Sequence, residues 1–239
     1  MLGCGPDEVA LVESATRAWP VDGRIHFKKR FLAESTTEKH MEGVRMRRLV
    51  YYISVTQDGF IAGPDGEYDF FIMNDDFAQT LNARFPETVP TDYREAVGIT
   101  EGNKIFDAVL MGRKTYEVGL PHGIVSPYRH LDQYVFSTTL DELSSPDVKL
   151  VTGDPVAKVR ELKAEDGMDI WLCGGGALAG ALYDEIDTLI LKRHPILIGA
   201  GLPLVVGDFS LRVFGLREQF AVEGGVTIST YEAPRRQPA

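Results

Sequence analysis

Short apolar runs recur along this chain, each closed by a glycine, a proline or a polar turn. Leu49-Val-Tyr-Tyr-Ile-Ser-Val55 is rich in β-branched and aromatic residues and predicts a strand. Ala108 to Met111, Gln133 to Ser137, Val148 to Thr152, Ile170 to Cys173 and Asp187 to Lys192 predict further strands. Between them, apolar residues recur at helical spacing. Phe77, Leu81 and Phe85 share a face of a helix that Asn74 or Asp75 caps and Pro86 stops. Val156, Val159 and Leu162 share a face of another, opened by Asp154 as cap with Pro155 at the first helical position, and stopped by Gly167. Thr91 to Val97 predicts a short helix or part of a covering loop, and Ala177 to Tyr183 a further helix. Leu211 to Val222, Glu223-Gly-Gly225 and Val226 to Tyr231 predict a C-terminal hairpin. The order is strand, helices, strand, helix, strand, strand, helix, strand, helix, strand, hairpin. Such alternation predicts an α/β fold, a mainly parallel central sheet flanked by helices with an antiparallel addition at its end.

A length of 239 residues and an apolar fraction of 44% fit one large domain or two small ones with a real core. A net charge of −10 argues against nucleic acid as a main partner, though not against a local anion site. The two cysteines, Cys4 and Cys173, exclude a disulfide framework and fit a reducing cytoplasm. Cys173 reads as a small core residue rather than a nucleophile, with no helper base near it in sequence. No apolar run is long enough to span a bilayer, and Met1-Leu-Gly-Cys-Gly-Pro lacks the parts of an export signal. Residues 1–45 carry seven acids and seven bases, so the remainder holds the whole net charge. They read as a flexible extension or one amphipathic helix with Val9, Leu11, Val12 and Ala15 near one face. A single domain is expected over residues 46–233, with a polar tail at 234–239.

Chemistry concentrates where strands end. Asp169-Ile-Trp-Leu-Cys-Gly-Gly-Gly-Ala-Leu runs from an apolar strand through Gly174, Gly175 and Gly176 into a helix that opens at Ala177 and Leu178. Glycines let a backbone approach a ligand closely, and the unpaired N–H groups of a helix start favour an anion. The spacing Gly174-x-Gly176-x-x-Ala179 fits a dinucleotide fingerprint, and a tight turn with no ligand would read the same way. Val109-Leu-Met-Gly112-Arg113-Lys114-Thr115-Tyr116 is a second strand-to-helix turn, with cations at odds with the macrodipole. A bound anion would resolve that conflict; solvated surface charge is the alternative. Ser137-Thr138-Thr139 carries hydroxyls that bond phosphate or cap a turn. The first strand passes Ser54 into Gln57-Asp58-Gly59, then Ala62 and Gly63-Pro-Asp-Gly66, which is either a lid or an ordinary surface loop. Asp69 lies among aromatics in Glu67-Tyr-Asp-Phe-Phe-Ile72, where burial would raise its pKa and make it a proton donor. His194, between a strand and Pro195, reads as a structural hydrogen-bonding group before a catalyst.

In this order, Leu49 to Ala62, Val109 to Tyr116 and Asp169 to Asp184 resemble the dihydrofolate reductase-like superfamily. Within it they are most similar to the bacterial branch that includes the C-terminal reductase domain of the bifunctional riboflavin-biosynthesis enzyme. The resemblance covers Met46 to Glu232. It implies a dihydrofolate reductase-like fold, NADPH as cofactor and a homodimer. The implied reaction is hydride transfer to a small pyrimidine- or pteridine-type molecule, as in 5-amino-6-(5-phosphoribosylamino)uracil reductase. It implies that Gly174, Gly175 and Gly176, with Ala177 and Leu178, cradle the pyrophosphate. Gly112, Arg113, Lys114 and Thr115, with Ser137 and Thr138, would hold the adenosine phosphate end, arginine gripping the 2′-phosphate. Ala62 and the Asp58-Gly59 loop would close over the nicotinamide, with Ser54 and Asp58 facing substrate. Asp69 is the nearest match to the acid that binds pterin in the dihydrofolate branch, at an altered spacing. No metal is expected.

Three rivals stand beside this reading. A Rossmann dehydrogenase would place an acid at the end of the next strand, where this chain has Lys192-Arg193-His194. A dihydrofolate or pteridine reductase would need its acid clearly placed after the first loop. A non-catalytic nucleotide-binding protein of the same fold would bind NADPH without oxidising it. The deaminase motif His-x-Glu with Cys-x-x-Cys does not occur, so the chain is not read as the bifunctional enzyme.

Overall fold

Alternation along the first strand builds two cores at once. In β1 (Leu49–Val55), Val50 and Tyr52 point to one side of the sheet and Leu49 and Tyr51 to the other. A computed structural model describes residues 46–234, and the expectations made for residues 1–45, Cys4 included, and for 235–239 lie outside those residues. Eight strands form the main sheet in the order β5-β4-β3-β6-β1-β7-β10-β9. They are β3 (Phe106–Gly112), β4 (Asp132–Phe136), β5 (Val148–Val151), β6 (Asp169–Gly174), β7 (Ile186–Arg193), β9 (Gly215–Ala221) and β10 (Thr227–Glu232), with β1 between β6 and β7. All pairs are parallel except the two made by β10, which is the mainly parallel sheet with an antiparallel end that the alternation predicts.

One side of the sheet is covered by α1 (Asp75–Arg84), whose Phe77 and Leu81 are buried against Val50, Tyr52 and Trp171. Each such side chain contributes about 1.5–3 kcal/mol over leaving it in water. Asn74 caps α1 by accepting the Phe77 N–H at 2.8 Å. The other side is covered by α4 (Pro155–Ala164), which packs Val159 and Leu162 beneath β6, with Asp154 accepting the Val156 N–H at 2.9 Å. The expected caps and faces are therefore present. The short helices α2 (Thr91–Arg94) and α3 (Arg113–Glu117) lie between them in the chain, and α5 (Gly176–Ala181) follows α4.

Three details differ from the sequence reading. Phe60–Ala62 forms β2 and pairs with β8 (Leu202–Pro203) in a small second sheet, a ladder too short to leave a periodic signal. The hairpin begins at Gly215 rather than Leu211. Glu87 is wholly buried and accepts backbone N–H groups from Ile105 at 2.7 Å and Phe106 at 2.8 Å. With Arg47, which binds the Asp107 carboxylate and the Met168 carbonyl, it anchors the amino ends of the strands. Among the described residues, no helix is long and apolar enough to cross a membrane.

Candidate active site

Parallel strands deliver their following loops to one edge, and ligands of open α/β sheets bind at that carboxyl edge. The sequence-predicted residues gather there. Ser54 lies at the end of β1, Gly112 closes β3, Ser137 follows β4 and Gly174 closes β6. The sheet register places Met111 beside Gly174 and Gly112 beside Phe136.

The two glycine turns touch. A Cβ placed on Gly112 would sit 3.6 Å from both the Gly174 oxygen and the Gly175 nitrogen. Gly174 has φ +142°, which disfavours any side chain, and it joins Gly175 through a cis peptide bond. On Gly175 a Cβ would meet only Ile61 at 3.8 Å and the Thr115 hydroxyl at 3.9 Å, so its backbone is open to a ligand. Gly176 is different. A Cβ there would fall 2.2 Å from the Pro203 carbonyl, so Gly176 is required by the segment packed on α5, and its own carbonyl accepts the Val206 N–H at 3.0 Å. Ala177 is exposed at the start of α5, while Leu178 is buried in the core with α4.

The cation-bearing turn also meets the exit of β4. Arg113 is exposed and donates to the Thr139 hydroxyl at 3.2 Å, while Lys114 is exposed with no partner among the described residues. Thr138, expected with Ser137 at the phosphate end, is exposed, as is Thr139, the hydroxyl that meets Arg113. The Ser137 hydroxyl accepts the N–H groups of Thr139 and Leu140, both at 3.1 Å, so it caps the turn. The dipole argument for Arg113 and Lys114 weakens: α3 has five residues, too few for a large summed dipole, and Arg113 pairs with Glu117 at 3.7 Å.

The loop after β1 is held more firmly than a free lid. Asp58 accepts from the Thr56 hydroxyl at 2.6 Å and from the N–H groups of Ile198 at 3.0 Å and Gly199 at 2.7 Å. These donors, the hydroxyl first, lower its pKa. Gln57 donates to the Ile196 carbonyl, and Gly59 accepts the Leu204 N–H. Asp58 therefore clamps two loops together, where sequence had it facing substrate. Ala62 is buried in the short β2–β8 ladder. Asp69 is exposed, so the burial that would make it a proton donor is missing.

Two residues carry more of this edge than sequence indicated. His194 is fully buried between Phe71 and Phe77, with ring centroids 4.6 and 5.4 Å away. Its Nδ1 accepts the Ile72 N–H at 3.2 Å, which leaves the proton on Nε2, 3.3 Å from Ser54 Oγ. Burial first, then the Lys192 charge, pushes its pKa down to about 4, so the ring is neutral at pH 7 and structural, as its position beside proline implied. Lys192 stands next to Ser54 in the β1–β7 register, with Nζ 3.9 Å from the centroid of the Tyr52 ring. A lysine directly after the apolar run Leu189-Ile-Leu191 of a central strand was the signal for it.

The sequence pattern of the RibD C-terminal domain family matches residues 47–227. The chain belongs to that family. Two Bacillus subtilis proteins are similar to this chain. The uncharacterized protein YwjB is 30% identical over 177 residues, spanning 72% of this chain and 92% of its own. YyaP, also uncharacterized, is 27% identical over 176 residues, spanning 68% and 82%. Among solved structures, a protein assigned to riboflavin biosynthesis from Shewanella sp. PV-4 superposes with a TM-score of 0.58 at 26% identity, covering 79% of this chain and 99% of its own. The diaminohydroxyphosphoribosylaminopyrimidine deaminase/5-amino-6-(5-phosphoribosylamino)uracil reductase of Thermotoga maritima gives 0.55 at 16% identity, covering 79% and 57%. Dihydrofolate reductase from Enterococcus faecalis, complexed with NADP(H), gives 0.52 at 15% identity, covering 79% and 97%. The last two likenesses show the fold alone: the RibD C-terminal domain has the dihydrofolate reductase-like fold.

Proposed function

We propose that this RibD C-terminal domain is an NADPH-dependent reductase that acts on a pyrimidine- or pteridine-type substrate, in the manner of 5-amino-6-(5-phosphoribosylamino)uracil reductase. The observation that supports it is the meeting of three separate segments at one edge: Gly112 against Gly174 and Gly175, and Arg113 against Thr139. The open backbone at Gly175 fits a pyrophosphate, which needs close approach and no side chain in the way. Arg113, exposed beside the Thr139 hydroxyl, and the exposed Lys114 next to it in the chain fit the 2′-phosphate of NADPH. Ile53 and Ile61 flank the glycine turn and would exclude water from the nicotinamide. When bound, the cofactor supplies the hydride.

The residues of the chain bind, orient and desolvate. Asp58 fixes the loop that carries Ala62, and His194 fixes Ser54. The exposed Asp69 gives the dihydrofolate alternative no buried acid for a pterin ring. A cytoplasmic setting belongs to the same proposal. Titration of the purified protein with NADPH and NADH, followed by nicotinamide fluorescence, tests it. Tight binding with preference for NADPH is expected; no binding of either at millimolar concentration overturns the reading.

A further inference from the structure

We propose that Lys192 is the proton donor of the reaction, delivering a proton from Nζ to a substrate heteroatom as hydride reaches the adjoining carbon. The inference rests on the reductase reading above. Lys192 lies one residue from the carboxyl end of β7, beside Ser54 of β1. Tyr52 and Cys173 lie on the same side of the sheet, and Cys173 directly precedes Gly174 of the candidate cofactor turn. Ser54, Cys173 and Lys192 are each half-buried and stand at the carboxyl ends of the three central strands β1, β6 and β7.

Among the described residues, Lys192 has no carboxylate partner; its ammonium rests on the Tyr52 ring. The titratable groups around it are Tyr52 from β1, Cys173 from β6 and His194 just after its own strand, with Tyr128, from the segment before β4, behind Cys173. None is an anion at neutral pH. Burial pushes both phenols and the thiol up, and the imidazole is neutral. A cation held out of water without a counter-charge gives up its proton readily, and burial brings Lys192 down to about 8. A donor near neutral pH is what acid catalysis requires. A purely structural lysine braced on an aromatic ring is the competing role.

The step balances for an acceptor with a C=N or C=O bond. Hydride adds to carbon, and the π pair forms an N–H or O–H bond with the proton from Nζ. The acceptor is reduced by two electrons, the nicotinamide cofactor is oxidised by two, and the neutral amine recovers a proton from water.

Two measurements test this on the full chain. The first is an NMR titration of protein carrying ε-13C lysine, the Lys192 signal being assigned by its loss in Lys192→Arg. A midpoint near 8 is expected, with a shift of that signal when NADP+ is added. A midpoint in the ordinary lysine range of about 10.4 overturns the proposal. The second is stopped-flow oxidation of NADPH with 5-amino-6-(5-phosphoribosylamino)uracil as acceptor. Lys192→Met is expected to slow hydride transfer by about 10²- to 10⁴-fold, with NADPH affinity within about twofold of the parent. The parent's rate is expected to fall above pH 8, and Lys192→Arg, charged but unable to donate, to lose that fall. Parent-like rates in Lys192→Met leave the lysine as a brace. If the parent protein binds neither NADPH nor NADP+, the reductase reading fails, whatever the Lys192 midpoint. If it binds NADPH but reduces neither this acceptor nor dihydrofolate, the donor role falls and nucleotide binding remains.

Discussion

Asp58 Oδ2 accepts the backbone N–H of Gly199 at 2.7 Å. The contact ties the loop after β1 to the loop after β7, both at the carboxyl edge of neighbouring parallel strands. Asp58→Ala is expected to leave the global fold intact, because the side chain is exposed, while amide exchange at Ile198 and Gly199 speeds up by about tenfold or more. The Asp58 pKa is lowered in the folded protein, by the Thr56 hydroxyl first and then the Gly199 amide. Its contribution is therefore present above the ordinary carboxylate range and lost as pH falls through the lowered value. Hydrogen exchange followed from pH 7 downward checks both. Unchanged exchange in the variant would remove the clamp.

Gly175 and Gly180 are glycines for opposite reasons, and alanine separates them. A Cβ on Gly180 would lie 1.6 Å from the Val206 carbonyl oxygen. Gly180→Ala is expected to destabilise the fold by about 1–3 kcal/mol, as overpacking does. Gly175→Ala meets nothing closer than 3.8 Å and should keep its stability to urea while weakening NADPH about tenfold. Equal affinity in Gly175→Ala would free that turn from the cofactor.

Arg113 reaches Thr139 across the β4 exit at 3.2 Å. If the pair faces the 2′-phosphate, Arg113→Ala should weaken NADPH by about 10- to 100-fold, the worth of a hydrogen bond to a charged group. NADH, which lacks that phosphate, should change by less than about twofold. Isothermal titration with both nucleotides decides it; equal losses would remove the role.

His194 sets a stability limit on the acid side. Its folded pKa of about 4 lies below the ordinary histidine value, so between those values the unfolded chain binds more protons. Stability from this group is complete above about pH 6.5 and declines as pH falls toward 4. His194→Ala leaves the Ile72 N–H unpaired and a gap between Phe71 and Phe77, at about 2–4 kcal/mol. Urea melts from pH 7 to 4.5 should slope in the parent protein and flatten over this window in the variant.

Much of this was legible in order and little of it in depth. The strand Leu49–Val55, the caps Asn74 and Asp154 and the turns at Gly112 and Gly174 follow from local periodicity and short-range chemistry. Exposed Asp69, by contrast, sits in a segment whose aromatic composition looks like burial, and composition does not say which way a loop faces. The same holds for Thr138 and Thr139, adjacent hydroxyls of which one meets Arg113.

By itself the sequence determined the strands of the main sheet, the two longer helices and their alternation, and hence the parallel sheet, because hydrophobic period and turn residues act within a few positions of chain. It also carried the family, through glycine and cation turns in a fixed order. Only the tertiary structure decided which side chains meet. Register put Lys192 beside Ser54 and Gly112 against Gly174, and packing spent Asp58, Ser137 and Gly176 on the fold. Those outcomes depend on contacts between strands and loops far apart in the chain, over which no local pattern has a hold.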